Sequence, residues 1–194
     1  MNYIEEKKEL LTYINKAYSK GLLTAMNGNL SIRIGQDRML ITPSQIEYSS
    51  MREVDFVLID LDGVVVEGVH NPSSEWQMHA ILYKNLEDLN AIIHTHSTYA
   101  TVFAVLNKSI PPILVEMNYL FHGSVEVCEF SKPGSEEIGL HAIEKIKTNK
   151  VCLLQNHGTL SAGLSLKEAY NRTENLEACA KIYLMSNLYS LMHN

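Results

Sequence analysis

Three histidines have the side-chain type and spacing to hold one divalent metal ion. His94 and His96 are two residues apart, at the end of the apolar run 91–93, which predicts a buried strand. Residues i and i+2 of a strand point to the same face, so both imidazoles are expected to project together. His157 follows a second strand-like run, residues 151–155. Three imidazoles leave a fourth position for water or substrate, which is typical of a catalytic rather than a structural zinc site.

A second candidate site lies in the segment 71–75. Ser73 and Ser74 carry hydroxyl groups, and the free N–H groups at the start of a helix bind phosphate or carboxylate. Ser74 and Gln77 have the spacing of a capping box, so we expect a helix to begin there with Glu75 as its first residue. Taken alone, the segment is better explained by ordinary helix capping, with Glu75 only complementing the helix dipole.

Two turns can supply further groups for an anion. Gly28 and Asn29 belong to a bend rich in Gly and Asn that enters a predicted strand. Side-chain amides and exposed N–H groups in such a bend can hold an anion. Ser44 follows Thr42-Pro43 at the end of the next predicted strand. Each turn is ordinary by itself, so its significance depends on which residues the fold brings beside it.

The remaining pattern predicts the elements that position these residues. Helical periodicity and capping residues predict helices at 3–20, from 74, at 98–106, from 135 and from 165. Ser135 and the pair Ser165 and Glu168 are the expected caps of the last two. Alternating or continuous apolar runs predict strands at 29–34, 38–42, 56–61, 64–67, 91–95, 151–155 and 159–162. This order predicts an α/β sandwich with a mixed sheet, in a single domain spanning residues 1–194.

Composition and charge limit the class of protein. The chain has 194 residues, of which 46% are hydrophobic and 20% charged, as in an ordinary globular protein. Its net charge of −6 and the lack of a Lys/Arg cluster argue against a nucleic-acid partner. Neither a signal-peptide core nor an 18-residue apolar run is present, so we expect no membrane association. Cys128, Cys152 and Cys179 are widely spaced in apolar settings, which suits reduced thiols in the cytoplasm.

Taken together and in this order, the motifs resemble the class II aldolase/adducin-head family, and within it the fuculose-1-phosphate aldolase branch. The resemblance covers nearly the whole chain. It is specific as an ordered set, although each motif alone is common. The matching segments are residues 28–31, 41–44, 72–79, 93–97 and 156–160.

This resemblance implies a three-layer α/β/α sandwich around a mixed, mostly antiparallel sheet. It also implies a homotetramer with active sites between subunits, and one zinc ion per chain on His94, His96 and His157. Glu75 corresponds to the family's catalytic carboxylate. The family's phosphate-binding positions correspond to Gly28, Asn29, Ser44, Ser73 and Ser74.

The implied activity is retro-aldol cleavage of a ketose 1-phosphate to dihydroxyacetone phosphate and an aldehyde. Glu75 would then move a proton on and off the carbon next to the carbonyl. Two positions depart from the family pattern. Gln45 stands where the phosphate loop usually has Gly. No Tyr occupies the place where aldolases of this branch use an acid from a neighbouring subunit, and Glu116, Tyr119 and His122 are the candidates to replace it.

Other functions remain open at this point. Glu116-Met117 resembles the acid/base segment of methylthioribulose-1-phosphate dehydratases, although those enzymes lack a Glu at the position of Glu75. An enzyme like ribulose-5-phosphate 4-epimerase would use related chemistry, but it generally carries Asp at that position. A decarboxylase of related acid phosphates is also open. A metal-stabilised module that binds a sugar phosphate without turnover is the alternative outside enzymes.

Overall fold

The apolar strands join into one eight-stranded sheet in the computed structural model, which describes residues 3–193. The strands lie in the order β4-β3-β2-β1-β5-β8-β7-β6. All neighbouring strands are antiparallel except β6 and β7, so the predicted mixed, mostly antiparallel sheet is confirmed. The strands are β1 (Asn29–Ile34), β2 (Arg38–Ile41), β3 (Val57–Asp60), β4 (Val65–Glu67), β5 (Ala91–Thr95), β6 (Val127–Cys128), β7 (Val151–Leu154) and β8 (Gly158–Gly163).

Helices cover both faces of this sheet, because successive strand residues point to opposite sides. The helices are α1 (Ile4–Ser19), α2 (Trp76–Asn85), α3 (Thr98–Leu106), α4 (Val115–Leu120), α5 (Glu136–Asn149) and α6 (Leu166–His193). Ile92 packs in one buried cluster with α2 and α5, whereas Ile93 packs in another with α1 and the start of α6. A third cluster joins Leu153 of β7 to α3, α4 and α6. The three-layer α/β/α arrangement is therefore confirmed.

The pairing of β5 decides where the candidate residues lie. Its neighbours are β1 and β8, with His94 opposite Asn29 on one side and Leu160 on the other. Both neighbours run antiparallel to β5, so they begin at the edge of the sheet where β5 ends. The bend before β1, the end of β5 and the turn before β8 therefore meet at one edge.

The capping box predicted at Ser74 is wrong. Helix α2 begins at Trp76, and no side-chain hydrogen bond caps it. Ser73 turns the chain instead, since its Oγ accepts the N–H of Glu75 at 3.3 Å and its carbonyl accepts the N–H of Trp76 at 3.1 Å. This turn moves the helix start one residue later than predicted and leaves the Ser74 hydroxyl free of capping.

The other two predicted caps differ in outcome. Ser135 occupies the N-cap position of α5, but its hydroxyl makes no capping bond. Ser165 Oγ accepts the N–H of Glu168 at 3.3 Å, and the Glu168 carboxylate accepts the N–H of Leu164 at 3.2 Å. The second cap is thus confirmed, with the acidic side chain reaching one residue further back. Within residues 3–193, no helix combines the length and apolar character that crossing a bilayer requires.

Candidate active site

The three histidines predicted to bind metal converge at the edge of the sheet. The Nε2 atoms of His94 and His96 lie 3.0 Å apart. The ring centroids of His94 and His157 lie 4.6 Å apart, and those of His96 and His157 lie 5.0 Å apart. One nitrogen from each ring falls within 4.8 Å of the other two, so the three can share one ion.

Hydrogen bonding shows that His94 presents a lone pair to this cluster. Its Nδ1 lies 2.8 Å from the carbonyl oxygen of Thr159, which can only accept, so Nδ1 carries the hydrogen and Nε2 does not. Burial lowers the pKa of His94 to about 4 and also lowers the pKa of His96, which keeps both rings neutral. Two neutral imidazoles beside His157, with Nε2 of His94 free to coordinate, fit a divalent metal ion.

Glu75 places a carboxylate against the same cluster. Its Oε2 lies 3.3 Å from Nε2 of His94, and its Oε1 lies 3.1 Å from Nε2 of His157. Burial acts to raise the pKa of Glu75, but contacts with His157, His94 and the amide of Asn29 outweigh burial and lower that pKa to about 2. The carboxylate is therefore an anion at neutral pH, within reach of a group bound between the histidines.

A cleft of about 370 Å³ opens beside these side chains. Glu75, His96 and His157 line it. All of the residues predicted to bind phosphate line it as well, and these are Gly28, Asn29, Ser44, Ser73 and Ser74. The fold thus brings the separate turns of the sequence together around one space.

Two glycines allow the close backbone packing that the cleft requires. Gly28 has a φ of +94°, and a Cβ there would lie 2.6 Å from the carbonyl oxygen of His94. A Cβ on Gly158 would lie 2.3 Å from the carbonyl oxygen of Thr95. Any other residue at either position would push a neighbouring strand away from the end of β5 that carries His94.

Sequence reasoning missed the loop that closes the far side of the cleft. Pro133 and Gly134 line it, and a Cβ on Gly134 would lie 3.0 Å from the carbonyl oxygen of Ser74. The Pro-Gly pair just before a helix start is a turn signal that marks this loop. Nothing in the sequence pattern, however, indicates that the loop meets Ser74.

Glu116 does not reach the cleft of its own chain. It lies exposed in the first turn of α4. Burial of Cys179 raises the pKa of that thiol to about 11, and the nearby charge of Glu116 adds to the rise. Tyr119 and His122 are also exposed, and neither lines the cleft. None of the three therefore meets the other candidate residues within the cleft of its own chain.

Comparison with known proteins agrees with this geometry. A family model described as the class II aldolase and adducin N-terminal domain matches residues 8–184. A 5-deoxy-D-ribulose 1-phosphate aldolase from Bacillus thuringiensis serovar kurstaki is 37% identical over 183 residues, covering 92% of this chain and 84% of that protein. An L-fuculose phosphate aldolase from Escherichia coli K12 is 35% identical over 164 residues, covering 84% of this chain and 75% of that protein.

A solved structure described as L-fuculose 1-phosphate aldolase superimposes with a TM-score of 0.89 at 38% identity. The match covers 94% of this chain and 86% of that chain. The strand order, the histidine cluster and these matches lead to one conclusion: the chain belongs to the class II aldolase and adducin N-terminal domain family and is a class II aldolase, a carbon–carbon lyase.

Proposed function

We propose that this enzyme cleaves a ketose 1-phosphate into dihydroxyacetone phosphate and an aldehyde. The observation that carries the proposal is the position of Glu75, whose carboxylate oxygens lie 3.1 and 3.3 Å from two of the three convergent histidines. The same cleft holds hydroxyl and backbone groups suited to a phosphate. The relatives named above are described as aldolases of 5-deoxy-D-ribulose 1-phosphate and of L-fuculose phosphate.

In this proposal His94, His96 and His157 hold one zinc ion per chain. A bound zinc ion would supply Lewis-acid stabilisation of the negative charge that develops on the substrate carbonyl oxygen. Three imidazoles suit zinc, and they also accept cobalt or manganese. The hydrogen bond from Nδ1 of His94 to the carbonyl oxygen of Thr159 orients Nε2 of this buried ring before any ion binds.

Glu75 acts on the carbon next to the carbonyl in this proposal. In the condensation direction its carboxylate removes a proton from that carbon of dihydroxyacetone phosphate and releases it to water. In the cleavage direction Glu75 takes a proton from water and delivers it to that carbon after the carbon–carbon bond has broken. Gly28, Asn29, Ser44, Ser73 and Ser74 orient the phosphate. Binding of the phosphate places the reacting carbon beside Glu75 and away from bulk water.

The proton of the aldehyde-side hydroxyl needs a second group. We assign it to Glu116 from a neighbouring copy of the chain, because Glu116 is exposed on α4 and does not line its own cleft. This assignment requires an assembly, and we propose a homotetramer. We also place the enzyme in the cytoplasm, since Cys128, Cys152 and Cys179 are buried free thiols.

The test is a panel of ketose 1-phosphates given to the metal-loaded enzyme. L-Fuculose 1-phosphate, 5-deoxyribulose 1-phosphate and 5-methylthioribulose 1-phosphate are each incubated, and dihydroxyacetone phosphate is measured by a coupled reductase. Release of dihydroxyacetone phosphate from at least one substrate supports the proposal. Dehydration, epimerisation, decarboxylation, or tight phosphate-ester binding without any product would each overturn it in favour of the corresponding alternative.

A further inference from the structure

A chain of buried polar side chains leads from the interior of α2 to Glu75. The hydroxyl of Tyr83 lies 2.8 Å from Oγ of Ser31, which lies 2.6 Å from Nδ1 of His79. Nε2 of His79 lies 2.6 Å from Oδ1 of Asn29, whose Nδ2 lies 2.9 Å from Oε2 of Glu75. His79 and Ser31 are fully buried, so these bonds do not compete with water.

The hydrogen bonds in this series of side chains can be donated in only one direction. A carboxylate can only accept hydrogen bonds, so the atom of Asn29 facing Glu75 must be Nδ2 and the atom facing His79 must be Oδ1. Oδ1 can only accept, so Nε2 of His79 carries the hydrogen and its Nδ1 accepts one from Ser31. The buried ring has its pKa lowered to about 3, which keeps it in a single neutral form.

The two oxygens of Glu75 differ as a result. Oε2 accepts from Asn29, whereas no donor within residues 3–193 reaches the buried Oε1 in hydrogen-bonding geometry. A flipped Asn29 amide would instead turn Oδ1 toward the carboxylate, placing two acceptors in contact. The donor on His79 is what prevents this flip.

We propose that His79 is a positioning residue, which locks the Asn29 amide so that it holds Oε2 of Glu75 and leaves Oε1 to move the substrate proton. The part concerning the proton rests on the proposed function. The part concerning the amide rests only on the hydrogen bonds that link Ser31, His79, Asn29 and Glu75. It gives the side chain of Asn29 a task separate from any phosphate contact made by its backbone.

His79→Gln and His79→Leu form the matched pair of variants. A Gln amide can donate from nearly the same place as Nε2–H, whereas Leu fills space without donating. We expect His79→Leu to lose about 10–100-fold in kcat, the range seen when partners that orient site residues are removed, with KM and metal content nearly unchanged. We expect His79→Gln to recover kcat to within about threefold of the wild type, so it remains informative if the Leu variant fails to fold.

Coupling to Glu75 separates positioning from a general loss of structure. In a Glu75→Gln background, His79→Leu should cost less than about twofold in residual kcat, because the residue it serves is already disabled. Equal losses in both backgrounds, or a His79→Gln variant as impaired as the Leu variant, would overturn the proposal.

A nitrogen NMR measurement tests the amide lock without turnover. Imidazole ¹⁵N shifts in ¹⁵N-histidine-labelled enzyme should show His79 with its hydrogen on Nε2. A hydrogen on Nδ1 would overturn the proposal even if cleavage is observed. If the Nε2–H form is found but no ketose 1-phosphate is cleaved, the proposed function fails while the lock on Asn29 stands.

Discussion

The imidazole of His94 has its Nδ1–H occupied by the carbonyl of Thr159, so only Nε2 is available to an ion. We expect purified enzyme to contain about one divalent ion per chain, most often zinc, because the three rings supply the usual ligand set of a catalytic site. His94→Ala and His157→Ala should each lose that ion. Elemental mass spectrometry of the purified variants measures this directly.

His141→Ala is the matched control for the metal variants, since His141 is exposed, bonds to Ser131 and does not line the cleft. It should retain the metal content of the wild type. Full metal retention by both His94→Ala and His157→Ala would show that the ion, if present, binds elsewhere.

Glu75→Gln isolates the charge of the carboxylate from its shape. The amide oxygen can still accept from Asn29, but it cannot take a proton from carbon. A positioned general base contributes about 10²–10⁴-fold in rate, so cleavage and proton exchange next to the carbonyl should fall by that factor. Metal content and the affinity for a phosphate analogue, measured by calorimetry, should stay close to the wild type.

Wild-type rates of cleavage and proton exchange in this variant would mean that Glu75 is only an acidic residue at a helix start. Glu116 would then become the leading catalytic candidate, and the dehydratase alternative would gain support.

At this scale the sequence predicts which candidate residues lie together better than it predicts the contacts of each one. The convergence of His94, His96 and His157 is predictable, because a metal site requires ligands of characteristic residue types and spacing. The bond from Asn29 to Glu75 is not detectable, because it joins two side chains that are 46 positions apart. Their meeting depends on the register between β1 and β5.

Among the elements, α6 holds the segment that carries His96. The carboxylate of Glu177 accepts the N–H groups of Tyr99 and Ala100 at 2.9 Å each, and so caps α3 just after His94 and His96. Glu177→Gln keeps one acceptor and places an amide N–H against the other donor. We expect a loss of about 1–3 kcal/mol in the free energy of unfolding and weaker metal binding.

Urea denaturation and chelator competition measure these two effects. Glu174→Gln on the same helix is the control, since Glu174 pairs with Lys20 at the surface and should change stability by no more than about 0.5 kcal/mol. If the two variants behave alike, the cap on α3 contributes nothing specific to the site.

Most elements follow from periodicity, and the exceptions have two causes. Helix α4 has six residues and strand β6 has two, which is too short for either period to be visible. The start of α2 is misjudged because Ser73 forms a turn that competes with the capping expected from Ser74. Local polar side chains of this kind shift boundaries without changing the kind of element.

For the whole molecule, the exposed part of α6 supports the proposed homotetramer. Apolar side chains on its last turns, such as Met185 and Leu188, are 46–55% exposed, and large exposed apolar surfaces of single chains commonly mark interfaces. We expect a tetramer in light scattering at assay concentration. Leu188→Glu should weaken it, whereas Asn171→Glu, on an exposed polar position of the same helix, should not. An active monomer would contradict the proposed sharing of Glu116.

Stability should fall in mild acid because of His79. Its pKa is about 3 in the folded chain and near 6.5 when unfolded, so between these values the unfolded state binds more protons. The free energy of unfolding therefore increases as pH rises across this window and decreases as pH falls. From pH 7.5 to pH 5 we expect His79 to account for about 2 kcal/mol of lost stability. Urea denaturation measures the free energy of unfolding at both pH values. The loss between them should be smaller in His79→Gln than in the wild type by about 2 kcal/mol, and an equal loss in both proteins would contradict the prediction.

The central position of β5 has a consequence for how the enzyme folds. His94 lies 65 residues along the chain from both Asn29 and Thr159, its partners on the two neighbouring strands. Closing two such long loops is slow and entropically costly, so the cluster forms only when both halves of the chain have come together. A nascent or partly folded chain therefore offers an ion no more than the His94–His96 pair. Loading with metal should accompany the final cooperative step of folding, and the backbone amides of β5 should exchange with solvent only through global unfolding.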